Sequence, residues 1–439
     1  MHFKFVISES SMKVRAITIG NIIPFLYKNE TILSFLQENL QKFSALNNQI
    51  IHALEQINIS VETKRFCSQP LFSYDNKLFY KKNLKDTLDN INNQLNFLQD
   101  ILKDYEFDYF ACCIMQGDQI QELGIFEKLL LSEVSNFIKN TDIFFTSLPA
   151  ASTKEGINIV ALKSGAKIIK QLAEPNPFKN LNFCVSANVG PNYPFFPAAY
   201  HFSEKPVFSL ALEMADEVID AIKSSDSFKE AQFNLLAKFN KIYNDITKIC
   251  NRFGRKYNIE FKGIDLSPAP FPEIEKSIGN AIEKLGIEYF GAIGTLTGVA
   301  LIKNSIPVDK EKVIGFSGFM QPVLEDFILS KRLAENKFNL DSLLLYSTIC
   351  GTGLDVVPLP GDITEQELFY ILLDVCTISV ALNKPLTARL MPIPGRNIGD
   401  DVKFDFEYFA PSKIIDFRRL TGKYKNDLFN RNENIIKFF

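Results

Sequence analysis

Apolar residues recur along this chain at two spacings that take turns. Short runs are continuously apolar or apolar at every second position, which predicts strands. Longer stretches are apolar at every third or fourth position, which predicts helices. KVRAITIG, Lys13 to Gly20, reads as a buried strand ending in glycine. A helix follows over Glu30 to Gln56, with Ile32, Phe35, Leu36 and Leu40 on one face. Val61 to Ser68 is a second strand and Leu84 to Asp104 a second helix. Phe107 to Met115, Thr141 to Ala150 and Asn182 to Gly190 are further strands. Between the last two, Ala151 to Asn158 opens a helix over Ile159 to Leu172, with Ser152 and Thr153 suited to its N-cap. Strand and helix in regular succession predict parallel pairing through crossover helices.

Pro191 to His201 is a rigid, aromatic, proline-rich loop, and VFSLALEMADEVIDAIKS passes from strand to helix. Ser224 to Gly254 is the clearest helix, with Leu235, Phe239, Ile242, Ile246, Ile249 and Phe253 in register and Gly254 placed for a C-terminal cap. The alternation then resumes. NIEFKGIDLSPAP holds a strand and a proline-locked turn, and a helix runs over Pro272 to Gly286. EYFGAIGTLTGVALI and KVIGFSGFMQPV are glycine-interrupted apolar runs. Glu325 to Asn336 is helical, Leu343 to Ile349 strand-like, Glu365 to Leu382 helical, and PLTARLMPI the last strong strand. Each half offers about five strand candidates. The expected architecture is a single α/β domain: a first half at about 12–223, a connecting helix at 224–254, a second half at 255–410, and a peripheral, charged tail at 411–439.

Composition narrows the function classes. The chain has 439 residues, 46% hydrophobic and 23% charged, enough for one large core. A net charge of −3 supplies no basic field for nucleic acid or acidic membranes. Trp is absent while Phe numbers 40, so Phe must fill the core. Seven scattered Cys without a CxxC fit reduced thiols in a cytoplasm better than a disulfide framework or zinc site. No apolar run approaches the ~20 residues of a membrane span. The opening MHFKFVISESSMK is too short and weakly apolar for a signal peptide, and Met12 is a candidate start.

Candidate chemistry crowds into 341–405, where cysteine, glycines, aspartates and an arginine sit at the ends of apolar runs. Cys350, ahead of Gly351-Thr352-Gly353, could be a nucleophile if a nearby charge or amide nest lowers its pKa, or a small buried apolar residue. Asp355 shares its loop and could move a proton; Asp362, Asp400 and Asp401 read mostly as turn formers, although several of these aspartates could instead hold a hard cation such as Mg²⁺. Asp265, with Ser267 in IDLSPAP, is either an acid–base group or a turn and cap residue. Arg389 lies inside an apolar strand, and a buried guanidinium needs an acid or a bound anion. Glu325 could reach the same centre or sit in a solvated first turn. Glycine loops at Gly294-Thr295, Gly318 and Gly351 to Gly353 could form anion-binding nests or provide room for close packing. Ser152 and Thr153 end a strand in a similar place. His201 could be an acid or base, or a structural hydrogen-bonder. No pattern names a metal or cofactor.

KVRAITIG, ASTKEGIN at Ala151, IDLSPAP at Ile264, FGAIGTLTGVAL at Phe290, GFSGFMQPVLED at Gly315 and the CGTGLDVVPLPGD to PIPGRNIGDDVKFD block are familiar in this order. Together they resemble an uncharacterised family called domain of unknown function seven-eleven, or uncharacterised protein family zero-two-ten. The resemblance runs from about Met12 to Ala410. It implies a pyruvate formate-lyase-like barrel of ten strands, made of two five-stranded parallel halves laid antiparallel, with helices outside. The relatives of that barrel with known chemistry are glycyl radical enzymes, which carry a C-terminal Arg-Val-Ser/Ala-Gly-Tyr signature. Here Arg419-Leu420-Thr421-Gly422-Lys423 matches it only loosely, with Lys in place of the aromatic residue. Fold does not supply function.

Two readings of function follow. In one, the chain is a cytoplasmic barrel enzyme acting on a small anionic metabolite, with Cys350, Asp355, Asp265 and His201 as chemical groups and Arg389 and the glycine loops holding the anion. In the other, the same loops bind a metabolite in a non-catalytic sensor or assembly protein. The expected partner is a small molecule rather than nucleic acid or membrane, and a homo-oligomer is one assembly open to it.

Overall fold

The computed structural model describes residues 12–24, 29–72, 84–115, 125–422, 428–431 and 433–438. The stretch before Met12 and Lys423, both weighed above, lie outside these. The protein is a mixed α/β structure built on a large, mostly parallel sheet. Nine strands follow one path: β1 (Lys13–Gly20), β2 (Ser60–Cys67), β3 (Tyr109–Cys113), β4 (Phe144–Ser152), β5 (Phe183–Ala187), β6 (Val207–Glu213), β7 (Glu260–Ala269), β8 (Gly353–Pro360) and β9 (Leu386–Ile393). Their spatial order is β7-β6-β1-β2-β3-β4-β5-β9-β8.

β1 to β5 pair in parallel. They are joined by α1 (Asn29–Glu55), α2 (Leu84–Asp104), α3 (Ile125–Lys139) and α4 (Ile159–Leu172). β6 with β7, and β8 with β9, form two further parallel pairs. Each meets the first set antiparallel, β6 along β1 and β9 along β5. The reversal therefore falls at β6, ahead of the long helix α6 (Phe228–Tyr257). Isolated parallel bridges, Ile264 to Val313 and Pro322 to Asp355, tie the intervening segment to both edge strands.

Side chains alternate across the strands as a pleated backbone requires. Phe66, Phe110, Phe144, Val185, Leu354 and Leu390 join the large core against the helices. Their neighbours Cys67, Ala111, Phe145, Val356 and Met391 form a second apolar cluster on the opposite face. The eleven largest fully buried side chains are all Phe, which is where a Trp-free chain finds its bulk. Residues 411–422, expected at the periphery, bury Ile414, Ile415 and Phe417.

Several local expectations change. Leu343 to Ile349 is not a strand but belongs to α10 (Leu340–Ser347), which buries Leu340, Leu343, Tyr346 and Ser347 at helical spacing and starts with an Asn339–Ser342 capping box. Ser152 and Thr153 do not cap α4; Asn158 does, its side chain accepting from the Ala161 N–H. A hairpin intervenes, pairing Ser152 with Gly156, and Ser152 Oγ accepts from the Glu155 N–H in its turn. α6 runs past Gly254 and is capped by left-handed Asn258. Gly254 serves packing, since a Cβ there would stand 2.8 Å from the Ile259 carbonyl oxygen. The remaining helices are α5 (Ala215–Lys223), α7 (Ile278–Lys284), α8 (Thr295–Asn304), α9 (Phe327–Ala334) and α11 (Glu365–Leu382).

Gly318 and Gly351 press backbone against backbone, and a Cβ on Gly351 would lie 2.8 Å from Gly318 Cα. Neither side of that contact is a flexible side chain. Gly351→Ala is expected to cost about 1–3 kcal/mol, read as a lower denaturation midpoint at unchanged m-value. An alanine variant as stable as the parent would show that the two loops move apart freely.

Candidate functional site

The face of the sheet turned away from the helices encloses a cavity of about 100 Å³. That is small beside the roughly 300–1,000 Å³ of pockets for drug-sized ligands. Its walls come from strands far apart in sequence: Arg15 on β1, Glu62, Thr63 and Arg65 on β2, Tyr109 on β3, Asp355 on β8, and Thr387 and Arg389 on β9. Glu325, just before α9, and the aromatic rings of Phe145, Phe196, Phe316, Phe406 and Tyr408 complete it.

The charges form one network. Arg389 Nε donates to Asp355 Oδ1 at 2.6 Å and its Nη2 to Glu325 Oε1 at 2.9 Å. The other oxygen of Glu325 lies 3.3 Å from Arg15 Nη2. Arg15 Nη1 donates to Glu213 Oε2 on β6 at 2.5 Å and lies 3.3 Å from Glu62 Oε2. The Arg15 guanidinium also stands over the Tyr408 ring, 4.7 Å from its centre. Burial works against both charged arginines, but their carboxylates outweigh it and hold both pKa values above the ordinary arginine range. Asp355 is pushed up by burial, with Arg389 opposing and Glu325 adding to the rise.

Arg65 is the exception. It is buried, and no carboxylate forms an ion pair with it among the described residues. Its Nε donates to Thr63 Oγ1 at 2.9 Å, and that hydroxyl in turn donates to the Arg15 carbonyl. The guanidinium stands 5.5 Å from the Tyr109 ring centre and 5.2 Å from that of Phe196, within cation–π range. Burial, reinforced by the Arg15 charge, pulls its pKa down to about 10, with Tyr109 and the more distant charges of Glu62 and Glu325 opposing the fall. A buried cation in no ion pair is a costly arrangement.

The residues singled out in the sequence divide into two groups. Asp355, Arg389 and Glu325 meet at the cavity. Cys350 and Asp265 stand one residue behind its wall. Cys350 is fully buried, its thiol donating to the Phe319 carbonyl and receiving the N–H groups of Thr352 and Gly353 at 3.4 and 3.5 Å. Asp265 is consumed by the loop beside it. Oδ1 accepts from Ser267 N, Ser267 Oγ and Ser317 N, and Oδ2 from Phe316 N. Burial pushes it up to about 6. Ser267 Oγ also accepts from Gly318 N, so Asp265, Ser267 and Gly318 form one brace.

His201 lies under β1 against Gly20, with Nε2 on the Ser203 carbonyl and Nδ1 on Asn192, and burial lowers it to about 4. Gly294 and Thr295 start α8, where Thr295 Oγ1 accepts from Gly291 N. Thr153 N donates to Asn188 in the β4 hairpin. Gly353 takes a left-handed φ of 94°, with the Thr387 backbone 2.4 Å from where its Cβ would be. None of these lines the cavity. No group of three or more His, Cys, Asp or Glu side chains among the described residues could hold a metal ion. Sequence reasoning missed Arg15, Glu62, Arg65 and Glu213. The rule that flagged Arg389, a cation among apolar strand residues, also fits Arg15 in V-R-A.

A family profile described as Uncharacterised ACR (DUF711) matches residues 6–410. A UPF0210 protein of Pyrobaculum arsenaticum is 30% identical over 287 residues, 62% of each chain. A UPF0210 protein of Halothermothrix orenii is 29% identical over 293 residues, 63% of this chain and 64% of its own. One from Methanosarcina barkeri is 28% identical over 324 residues, 70% of each. The match thus spans less than two thirds of the length of the first two relatives.

All seven cysteines are unpaired and buried. With an aromatic disulfide reagent at neutral pH, Cys350 is expected to react only as fast as the protein unfolds. One thiol reacting within seconds in the native protein would return Cys350 to the list of nucleophiles.

Proposed function

This chain belongs to the family described as Uncharacterised ACR (DUF711), a description that names no reaction, and we propose from its charged cavity that it binds a small anionic metabolite. The observation that carries this reading is Arg65, a buried guanidinium facing the cavity and in no ion pair among the described residues. The ligand's anionic group takes the place of the missing counter-ion, and Tyr109 and Phe196 hold the guanidinium plane in place. Thr352 offers a hydroxyl along the wall, those of Thr63 and Thr387 being spent on the Arg15 and Thr352 carbonyls, and the small volume restricts the ligand to a few heavy atoms. The enclosing shape is, in this proposal, a ten-stranded barrel. The segment from Val313 to Pro322 acts as the tenth strand between β7 and β8, a reading its two parallel bridges support. The reduced, buried cysteines support a cytoplasmic setting.

The proposed role is enzymatic, with the chemistry assigned to the cavity carboxylates. Asp355 and Glu325 share Arg389, and burial raises Asp355, so Asp355 can exchange a proton with a bound molecule. Cys350 and Asp265 act in this reading as braces for the loops that carry Thr352 and Phe316. A non-catalytic sensor is the second reading. It draws support from the same brace, because the thiol and Asp265 are already committed to backbone partners.

Arg65→Met separates function from stability. Without ligand the variant is expected to be as stable as the parent or up to ~2 kcal/mol more stable, since an unpaired buried charge is removed. Stabilisation of the parent by small carboxylates, measured by thermal unfolding, is expected to vanish in the variant. A variant several kcal/mol less stable, or one still stabilised by the same anions, would make Arg65 a structural residue. Once a ligand is identified by native mass spectrometry, Asp355→Asn should retain binding and lose turnover if the protein is an enzyme.

A further inference from the structure

Two carboxylates crowd one nitrogen behind the cavity wall. Arg15 Nη1 lies 2.5 Å from Glu213 Oε2 and 3.3 Å from Glu62 Oε2. Both acids are buried, with side chains 3% and 8% exposed. Glu213 Oε1 and Glu62 Oε2 accept no hydrogen bond at all. Two neighbouring carboxylates, each with a buried oxygen lacking a donor, cannot both stay ionised cheaply. One proton held on the pair removes the repulsion between the two charges that crowd Arg15.

The surroundings agree with this. The groups facing the pair are Arg15 and Lys13 on β1, Arg65 on β2 and Tyr408, both of which sense the Glu62 charge, and, after β7, Lys276, which is paired with Glu273 and senses the Glu213 charge. Glu325 meets the pair through Arg15. Burial pushes Glu213 up to about 7, with Arg15 opposing and Glu62 adding to the rise. Across the whole network, Lys13, Arg15, Arg65 and Arg389 face Glu62, Glu213, Glu325 and Asp355. With every group ionised the network is neutral. With one proton held, it carries one positive charge in excess, and Arg65 is the cation left without a partner.

We propose that Glu62 and Glu213 hold one proton between them, and that this proton makes the cavity a site for a singly charged organic anion, such as a small monocarboxylate. The proposal rests on the anion reading of Arg65 and adds to it the ligand's charge and a proton that must accompany it. Glu62 faces the cavity, and Glu213 behind it is a positioning residue that keeps the proton on the pair. Above neutral pH the pair loses its proton, the network returns to neutrality, and the anion loses its attraction.

The test uses the full-length protein, its Glu213→Gln and Glu62→Gln variants, and butyrate as the probe. Each glutamine supplies a permanent donor where the proton would sit. Infrared spectra at pH 6 should show a protonated-carboxyl stretch in the parent that fades as pH rises through about 7 and is missing from both variants. The other raised acids, Asp265, Asp326, Asp355 and Asp374, contribute equally to all three proteins and cancel in the difference. Butyrate affinity of the parent should fall about tenfold per pH unit above pH 7 and stay level in Glu213→Gln. Succinate, a dianion, should bind at least about tenfold more weakly, one unit of charge being unmatched. Superimposable spectra of parent and variants, or a level butyrate profile in the parent, overturns the proposal. A persisting band difference with no butyrate binding in any of the proteins sinks the anion reading instead, and the ligand assignment with it.

Discussion

A guanidinium taken out of water has to be given its partners back, and the structure is organised around supplying them. Arg15 receives carboxylates from β2, from β6 and from the residue that leads into α9. Those ion pairs connect strands of the first parallel set to the antiparallel pair and to the segment bridging the sheet edges. Removing one partner would leave a buried charge uncompensated, at about 3–5 kcal/mol. The apolar packing on the helix side tolerates many side chains of similar volume. The charged interior does not, because each member is the counter-ion of another.

Around that interior the polar groups have different tasks. Arg389, Asp355 and Glu325 close a circuit in which every charge is answered. Asp265 and Cys350 spend their hydrogen bonds on backbone amides and a carbonyl, holding the loops at 315–318 and 350–353 against each other. Lys384 does similar work from outside, reaching the carbonyls of Ser347, Thr348 and Cys350 where α10 ends. Arg65 is the one arginine of this interior that forms no ion pair among the described residues. A fixed, dry and incompletely neutralised cation costs stability when empty and is useful when filled.

Period and capping chemistry made most of the framework legible in the sequence. The strands β1, β2 and β9 and the helices α4 and α11 lie where the apolar spacing placed them. α10 was mistaken for a strand because LLLYS is apolar without interruption, and only its Asn339 cap betrays a helix. The glycine-rich loops drew attention to Cys350 and Asp265, but glycine marks tight backbone packing as readily as it marks a ligand. Arg389 was recognisable from its apolar neighbours. Arg65 was not, because Glu62, Lys64 and Arg65 together look like a solvated edge strand. What makes Arg65 unusual is that no carboxylate among the described residues pairs with it, because Glu62 and Glu325 are taken by Arg15, an arrangement the local sequence does not show.

The span of these ion pairs also sets a timetable for synthesis. Glu213 follows Arg15 by 198 residues and Glu325 follows it by 310. At about 5–20 residues per second, Arg15 leaves the ribosome roughly 15–60 s before its last partner is made. Over that interval the N-terminal strands carry two arginines whose final surroundings do not yet exist, so water must remain their counter-environment. The interior can dry only when about three quarters of the chain has emerged. Nascent intermediates of this protein are therefore expected to be open on their polar face, and a chaperone that shields apolar surface on the helix side alone would meet most of their needs.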